Sequence, residues 1–115
     1  MPLPEDDVAR VWRWVAARNA ALPEPTIGKI RYELEEALRH LTISECRPPW
    51  RPEYGPDWTR RGVARLRYTA TRGEWSLYSP DSRSRFHEYG ATAPTGMVGR
   101  LLVEIDRDPT AIFWG

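Results

Sequence analysis

Alternation of apolar and polar side chains in residues 62–89 constrains the fold of this chain more than any other feature. A period of two is typical of β-strands that cover a core with one face and meet water with the other. Turn signals interrupt the alternation twice, so the pattern predicts a meander of three antiparallel strands. The segments are Gly62–Arg72, the turn at Arg72-Gly73, Trp75–Tyr78, the turn Ser79-Pro80-Asp81-Ser82, and Arg83–Tyr89.

The segment from Ile27 to Arg47 allows two interpretations. Its centre, Glu33–Arg39, has high intrinsic helix propensity. On both sides of that centre, apolar residues alternate with charged or polar ones; they are Ile30, Tyr32, Leu34, Leu41 and Ile43. The alternation favours a hairpin of two strands with its turn near Glu35–Leu38, and a helix is the alternative.

Two amphipathic helices are predicted, one near each end of the chain. The first runs from Glu5 to Leu22 and ends at Pro23 and Pro25. The second follows a capping residue, Thr95, and ends at Asp108-Pro109. Their apolar stripes consist of Val8, Val11, Trp12, Val15 and Leu22 in the first helix, and of Met97, Val98, Leu101, Leu102 and Ile105 in the second.

The apolar tail, residues 111–115, is expected to dock on the body as a short edge strand. Together the elements predict an α+β fold, an antiparallel meander of about five strands with an N-terminal and a C-terminal helix packed on one face. At 115 residues, one domain spanning residues 1–115 is the expectation.

Cysteine content and hydropathy limit the cellular setting. The chain has one cysteine, Cys46, so an intramolecular disulfide is impossible and a reducing compartment is the simpler setting. The acidic opening, Glu5-Asp6-Asp7, does not resemble a secretory signal, and no apolar run approaches the ~20 residues of a membrane span. We therefore expect a soluble cytoplasmic protein with no membrane partner.

The net charge of +1 conceals an uneven distribution. Residues 47–89 hold nine arginines against five acidic residues, a balance of +4, whereas residues 1–46 balance to −2. A basic segment of this kind can meet a polyanion such as nucleic acid. However, Lys29 is the only lysine among 17 basic residues and there are 11 prolines, a composition typical of a GC-rich genome. The arginine content alone is therefore weak evidence for nucleic-acid binding.

Strand alternation divides the sheet residues between two faces. The residues assigned to the core face are Ala64, Leu66, Tyr68, Trp75, Leu77 and Phe86. Those assigned to the opposite face are Arg65, Arg67, Ser76, Tyr78, Arg85, His87 and Tyr89. Rings interleaved with arginines are typical of surfaces that hold single-stranded nucleic acid. The alternative is a solvated face whose arginine stems cover the sheet, and no RNA-recognition consensus is present.

A second candidate is the run Glu45-Cys46-Arg47-Pro48-Pro49-Trp50. By parity, Glu45 and Arg47 continue the inward face of the preceding strand, so they are expected to form an ion pair that holds the proline-rich loop over residues 47–61. The alternative is a ligand cleft beneath that loop, with Trp50 above it and Trp75 or Tyr68 as its floor.

Catalytic and metal-binding patterns are weak. Cys46 has no spacing relation to His87 or His40 that would support a thiol–imidazole pair. Two histidines, one cysteine and scattered acidic residues match no metal-ligand spacing, and no glycine-rich phosphate loop occurs. The sequence therefore predicts no metal and no cofactor.

The same residues carry a resemblance to a known family. Its motifs occur in the order Glu45-x-Arg47-Pro48-x-Trp50, Val63-Ala64-x-Leu66-x-Tyr68, Trp75-x-Leu77-Tyr78, Phe86-His87-x-Tyr89, and Asp106 followed by Phe113-Trp114-Gly115. In this order the chain resembles the small bacterial family catalogued as domain of unknown function 3024. It departs from the family pattern at Phe86, where tryptophan is frequent, and at the helix-prone Glu35-Glu36-Ala37. Because that family has no established activity, the resemblance supports the fold and leaves the function open.

Two functional hypotheses follow. The first is a non-catalytic binding or interaction module that uses the arginine–aromatic face or the Trp50 loop, with nucleic acid, a small ligand or another protein as partner. The second is a small enzyme whose cleft holds Glu45 or His87 as general base, Arg47 as anion clamp, and Tyr89. An exposed edge strand at 113–115 would also permit a homodimer.

Overall fold

A computed structural model describes residues 2–49, 51, 53 and 55–114. Along the chain the elements are α1 (Glu5–Ala20), a short 3-10 helix (Glu24–Thr26), β1 (Arg31–Glu36), β2 (His40–Arg47), β3 (Thr59–Thr69), β4 (Glu74–Pro80), β5 (Phe86–Glu88) and α2 (Val98–Arg107). The strands lie in the sheet in their sequence order, and every neighbouring pair is antiparallel. The predicted α+β meander of five strands is confirmed.

The ambiguous segment forms a hairpin, so the helical alternative is wrong. Leu34 of β1 lies opposite Ile43 of β2, and both side chains are buried. The turn closes with the amide of Ala37, which donates to the carbonyl of His40 at 2.9 Å. Burial of the alternating apolar residues outweighs the intrinsic helix propensity of Glu35-Glu36-Ala37.

Both helices pack on one face of the sheet, and the core lies between the two layers. The largest fully buried side chains come from both layers: Trp75, Phe113, Leu41, Ile43, Leu66, Leu77, Leu101, Ile105, Val11, Val63 and Val98. Trp12, predicted to belong to the core stripe, is 45% exposed. It lies about 100° around α1 from Val11, where its indole nitrogen donates to Glu36 Oε1 at 2.6 Å.

The second helix begins later than predicted. It starts at Val98, and Thr95 does not cap it. Instead, Thr95 and Trp75 exchange backbone hydrogen bonds of 2.7 and 3.0 Å, which extends the ladder beside β4. The Thr95 hydroxyl accepts a hydrogen bond from the amide of Met97, the residue that precedes α2. The backbone of Thr95 therefore belongs to the sheet, and α2 starts once the chain has left it.

The C-terminal tail docks as expected but forms no strand. Asp108 adopts a left-handed conformation at the end of α2, and its carboxylate accepts hydrogen bonds from the amides of Phe113 and Trp114 at 3.0 and 2.9 Å. These amides would otherwise bond a neighbouring strand, so the predicted edge strand is wrong. The Phe113 side chain is fully buried, and the Trp114 indole donates to the Ile105 carbonyl. Gly115 lies outside the described residues.

In the described part of the chain, neither helix has the length and apolar character needed to cross a membrane.

Candidate functional site

The sheet face turned away from the two helices, here called the open face, carries a groove at one end. The groove has a volume of about 500 Å³ and is lined by Ala37, Leu38, Arg39, His40, Arg65, Arg67, Tyr78 and Phe86. Its floor is formed by β3 and β4, where register pairs Arg65 with Tyr78. The β1–β2 turn forms one wall and β5 forms the other. Residues that are far apart in sequence therefore lie side by side here because the antiparallel register aligns their strands.

Phe86 lies on the open face, not in the core as alternation predicted. It pairs with Pro80 in register, and the Arg65 guanidinium carbon lies 4.3 Å from the centre of its ring. The ring also covers Gly62, where an added Cβ would lie 2.7 Å from Phe86 Cζ. The β4–β5 turn includes Ser84, which has a left-handed backbone conformation. Because of this turn, each residue of β5 lies on the face opposite to the one that alternation predicts.

The same shift removes three residues from the predicted open face. Tyr89 is buried beside Phe113, with 5.2 Å between ring centres, and its hydroxyl donates to Glu104 Oε2 at 2.7 Å. Burial, followed by that carboxylate, raises the pKa of Tyr89. His87 is exposed and pairs with Asp81 at 2.7 Å. Arg85 lies in the same turn, where its amide also bonds Asp81. The prediction that these residues line one plane with Arg65 is therefore wrong.

Positive charge in the groove is not neutralised locally. Within the described part of the chain, no carboxylate forms an ion pair with Arg39, Arg65 or Arg67. Arg65 is held in place by a 3.0 Å bond from its Nε to the hydroxyl of Thr42. Burial lowers the pKa of His40, and the charges of Arg65 and Arg67 lower it further. The imidazole is therefore largely neutral at pH 7, when it can both donate and accept hydrogen bonds.

The opposite end of the sheet, here called the paired end, holds Glu45 and Arg47. Glu45 is almost buried, and its carboxylate accepts bonds from Arg47 at 2.9 Å and from Arg61 at 3.3 Å. Arg61 also donates to the carbonyl of Phe113 at 3.4 Å. The ion pair predicted from parity is therefore present, but the Arg47 side chain is 61% exposed instead of inward, and the contacts of the described residues tie β2 and β3 to the C-terminal tail instead of holding the proline-rich loop.

A β-bulge explains why Arg61 joins this pair. Ile43 lies opposite Ala64 but Ser44 lies opposite Gly62, so Val63 has no partner on β2. The extra residue reverses the parity of β3 beyond it and places Arg61 opposite Glu45. The hollow at this end, about 400 Å³, is bordered by Trp114 and not by Trp75 or Tyr68 as the cleft alternative required. Trp50, the third predicted residue of this site, lies outside the described residues.

Cys46 takes part in a third cluster and not in a nucleophilic pair. The thiol is fully buried and donates to Glu33 Oε2 at 2.8 Å, and Glu33 also binds Arg60 at 3.2 Å. Burial, together with that carboxylate, raises the pKa of Cys46 to about 11. His40 begins the same strand six residues away, about 20 Å along an extended chain. The thiol is therefore protonated and distant from that imidazole.

The chain matches the family model described as Domain of unknown function (DUF3024) over residues 2–115. The chain belongs to this DUF3024 family. The family resemblance drawn from its motifs is thereby confirmed. Comparison with curated proteins and with solved structures gave no match.

Membership in DUF3024 supplies no activity, so the hypotheses depend on geometry. The proposed acid–base cleft needs Glu45, Arg47 and His87 to converge. Glu45 lies on β2 and His87 on β5, so three inter-strand spacings alone put these residues at least about 14 Å apart. This constellation does not form. Among the described residues, no group of three or more His, Cys, Asp or Glu side chains is placed to hold a metal ion.

Three of the eight residues that line the groove in this DUF3024 domain were predicted as site residues: Arg65, Arg67 and Tyr78. Arg39 and His40 are not on the predicted open face because the predicted turn lies at Glu35–Leu38, and Phe86 is not because the predicted β5 has the wrong phase. The signal that would have found Arg39 and His40 is the hairpin itself. A turn that closes between Ala37 and His40 brings the start of β2 beside Arg67 on β3.

Proposed function

We propose that this DUF3024 domain is a non-catalytic binding module whose groove takes a ligand that joins a negative charge to a flat ring, as a nucleotide does. The observation that carries the proposal is the groove lining, which combines three arginines lacking a carboxylate partner among the described residues with the rings of Tyr78 and Phe86. Its volume of about 500 Å³ is within the range of ligand pockets.

The arginines divide into a fixed one and two available ones. Arg65 is held between the Thr42 hydroxyl and the Phe86 ring, so it supplies charge and shape without losing further side-chain freedom. Arg39 and Arg67 have no ion-pair partner in the described chain, and their guanidinium groups can take the two oxygens of a phosphate. They are the side chains that we assign to the ligand's anion.

The rings serve the other part of the ligand. Tyr78 is half-buried on the groove floor, which leaves part of its ring accessible for stacking. One side of Phe86 is occupied by Arg65, so Phe86 contributes an apolar wall. Neutral His40 adds a hydrogen-bonding group that does not have to lose a proton. This combination suits a base and its phosphate better than it suits a simple anion.

The test is an NMR titration of the labelled protein with AMP, and separately with adenosine and with inorganic phosphate. AMP is expected to shift the NMR signals of His40, Arg65, Arg67 and Tyr78. It is also expected to bind more tightly than adenosine or inorganic phosphate does. Arg67→Gln should weaken AMP binding about tenfold, as loss of one charge-assisted phosphate contact does. Arg13→Gln, on the exposed side of α1, is the matched control and should leave binding unchanged.

Two results would overturn the proposal. One is an AMP titration that leaves the groove signals in place. The other is an equal effect of the Arg67 and Arg13 substitutions, since a groove site predicts that only the first matters. We place this function in the bacterial cytoplasm, and the free thiol of Cys46 accords with a reducing compartment there.

A further inference from the structure

A second, smaller hollow adjoins the groove at the end of β3. Its volume is about 260 Å³, and its lining is formed by Leu3, Leu38, Arg39, Arg67, Tyr68, Thr69, Ala70 and Thr71. Three of these residues, Leu38, Arg39 and Arg67, also line the groove. The two hollows are therefore neighbours that share one border, and two of the three border residues are the arginines that form no ion pair with any described residue.

The two hollows and the arginines between them match the order of groups along a nucleic-acid strand. In such a strand each phosphate joins two nucleosides, so rings and negative charges alternate along its length. Here the Tyr78 ring lies in the groove, Arg39 and Arg67 lie at the border, and the second hollow offers Leu3 together with the Thr69 and Thr71 hydroxyls. A free mononucleotide would use the groove alone, whereas a linked pair of nucleotides would place its connecting phosphate at the border.

The accessibility of the rings indicates single strands. Tyr78 and Phe86 are half-buried within a concave surface, so they can contact only bases that are free of a partner strand. The bases of a duplex are stacked inside the helix and expose their edges, not their faces. Arginines that form no ion pair among the described residues also suit a ligand with a phosphate at every step.

Given the function proposed above, on which this step rests, we infer that the domain binds single-stranded nucleic acid, with one nucleotide in the groove, the next in the second hollow, and their linking phosphate on Arg39 and Arg67. The groove residues supply stacking and shape. The border residues supply the charge, so the contact to the backbone is independent of base sequence.

The experiment is a competition measured by fluorescence anisotropy. A fluorescein-labelled single-stranded DNA of ten deoxyadenosines is displaced by unlabelled dAMP, by the dinucleotide pdApdA, by a hexamer and by a duplex of the same length. The dinucleotide is expected to bind about tenfold more tightly than dAMP, the order that one further nucleotide contact supplies. The duplex is expected to compete more weakly than the single strand.

Substitutions at the second hollow separate this inference from the proposed function. Thr71→Glu puts a negative charge beside the position of the second nucleotide, and Thr71 is exposed, so the fold should tolerate the change. This substitution should weaken the binding of the dinucleotide and of the decamer, and it should leave the affinity for dAMP unchanged. Thr71→Gln has the size of glutamate without its charge, so it is the matched control and should bind the dinucleotide more tightly than Thr71→Glu does. Arg39→Gln and Arg67→Gln should each reduce the salt dependence of decamer binding by about one charge.

The failures are distinguishable. If dAMP binds as tightly as the dinucleotide, or if Thr71→Glu does not affect the dinucleotide, the second hollow is not used and this inference is wrong, although the groove still binds a nucleotide. If the duplex competes as well as the single strand, or if polyglutamate displaces the decamer equally well, the single-stranded assignment is wrong. If neither dAMP nor the decamer binds, the proposed function itself fails.

Discussion

At the paired end of the sheet, Arg47 and Arg61 share the carboxylate of Glu45, whereas in the groove Arg39 and Arg67 have no carboxylate partner among the described residues. The four side chains are chemically identical. What differs is the position of the acidic residues around them. Arginines held by a nearly buried carboxylate connect parts of the fold, and arginines left without one are available to a ligand. The comparison predicts that substitutions at the paired end change stability and that those in the groove change binding.

The largest expected effect comes from Glu45→Ala. It removes the carboxylate that joins β2, β3 and the tail, and it leaves Arg47 and Arg61 without their partner. Because the two guanidinium groups left behind are half-exposed, the cost is expected between that of an exposed ion pair and that of a broken buried pair, about 2 to 3 kcal/mol of unfolding free energy. Urea denaturation followed by tryptophan fluorescence measures it.

The matched control is Glu35→Ala, in an exposed ion pair with Arg60 on the open face. That change should cost no more than about 0.5 kcal/mol, as exposed ion pairs do. Equal losses for the two variants would contradict the distinction between the paired end and the rest of the surface.

An intermediate effect is expected from Cys46 at high pH. Its folded pKa is raised from 9.0 to about 11, so between these values the folded protein binds more protons than the unfolded chain. The stabilisation is fully present below pH 9 and is lost as the pH rises towards 11, by about 2 kcal/mol. Denaturation midpoints across this range measure the slope.

Cys46→Ala removes the titrating thiol, so its stability should decline less steeply between pH 9 and 11 than that of the wild type. The difference between the two slopes isolates Cys46 from the tyrosines that titrate in the same range. Parallel slopes would show that the thiol is not the group responsible.

The smallest effect is expected in the groove itself. Arg67→Gln removes no ion pair that the described chain contains, so the unfolding free energy should change by less than about 0.5 kcal/mol. The pKa of His40 should rise in this variant, because Arg67 is one of the two positive charges that add to burial in lowering it. A histidine NMR titration measures this shift, with Arg13→Gln as the unchanged control. A large loss of stability would mean that Arg67 holds the fold together and would weaken the comparison.

Pattern alone predicted the architecture well, because burial imposes a period of two on strands and about 3.6 on helices. It located the hairpin at 31–47 and the meander that follows, and it recognised both helices. It also identified the Glu45–Arg47 ion pair from strand parity. The assignment of residues to the two sheet faces was wrong where a turn or a bulge interrupts the alternation. The turn around Ser84 moved Phe86 to the open face and Tyr89 to the core.

The amino-acid sequence therefore determined which segments are strands and helices, and it determined that no intramolecular disulfide can form, since Cys46 is the only cysteine. Only the tertiary structure decided which arginines have partners. An unpaired residue at Val63 turned Arg61 towards Glu45, and the register between β2 and β3 brought His40 beside Arg67 with no acidic residue in the lining. The reason is physical: secondary structure follows from local periodicity, whereas the surroundings of a charge depend on register, and one inserted residue is enough to reverse a face.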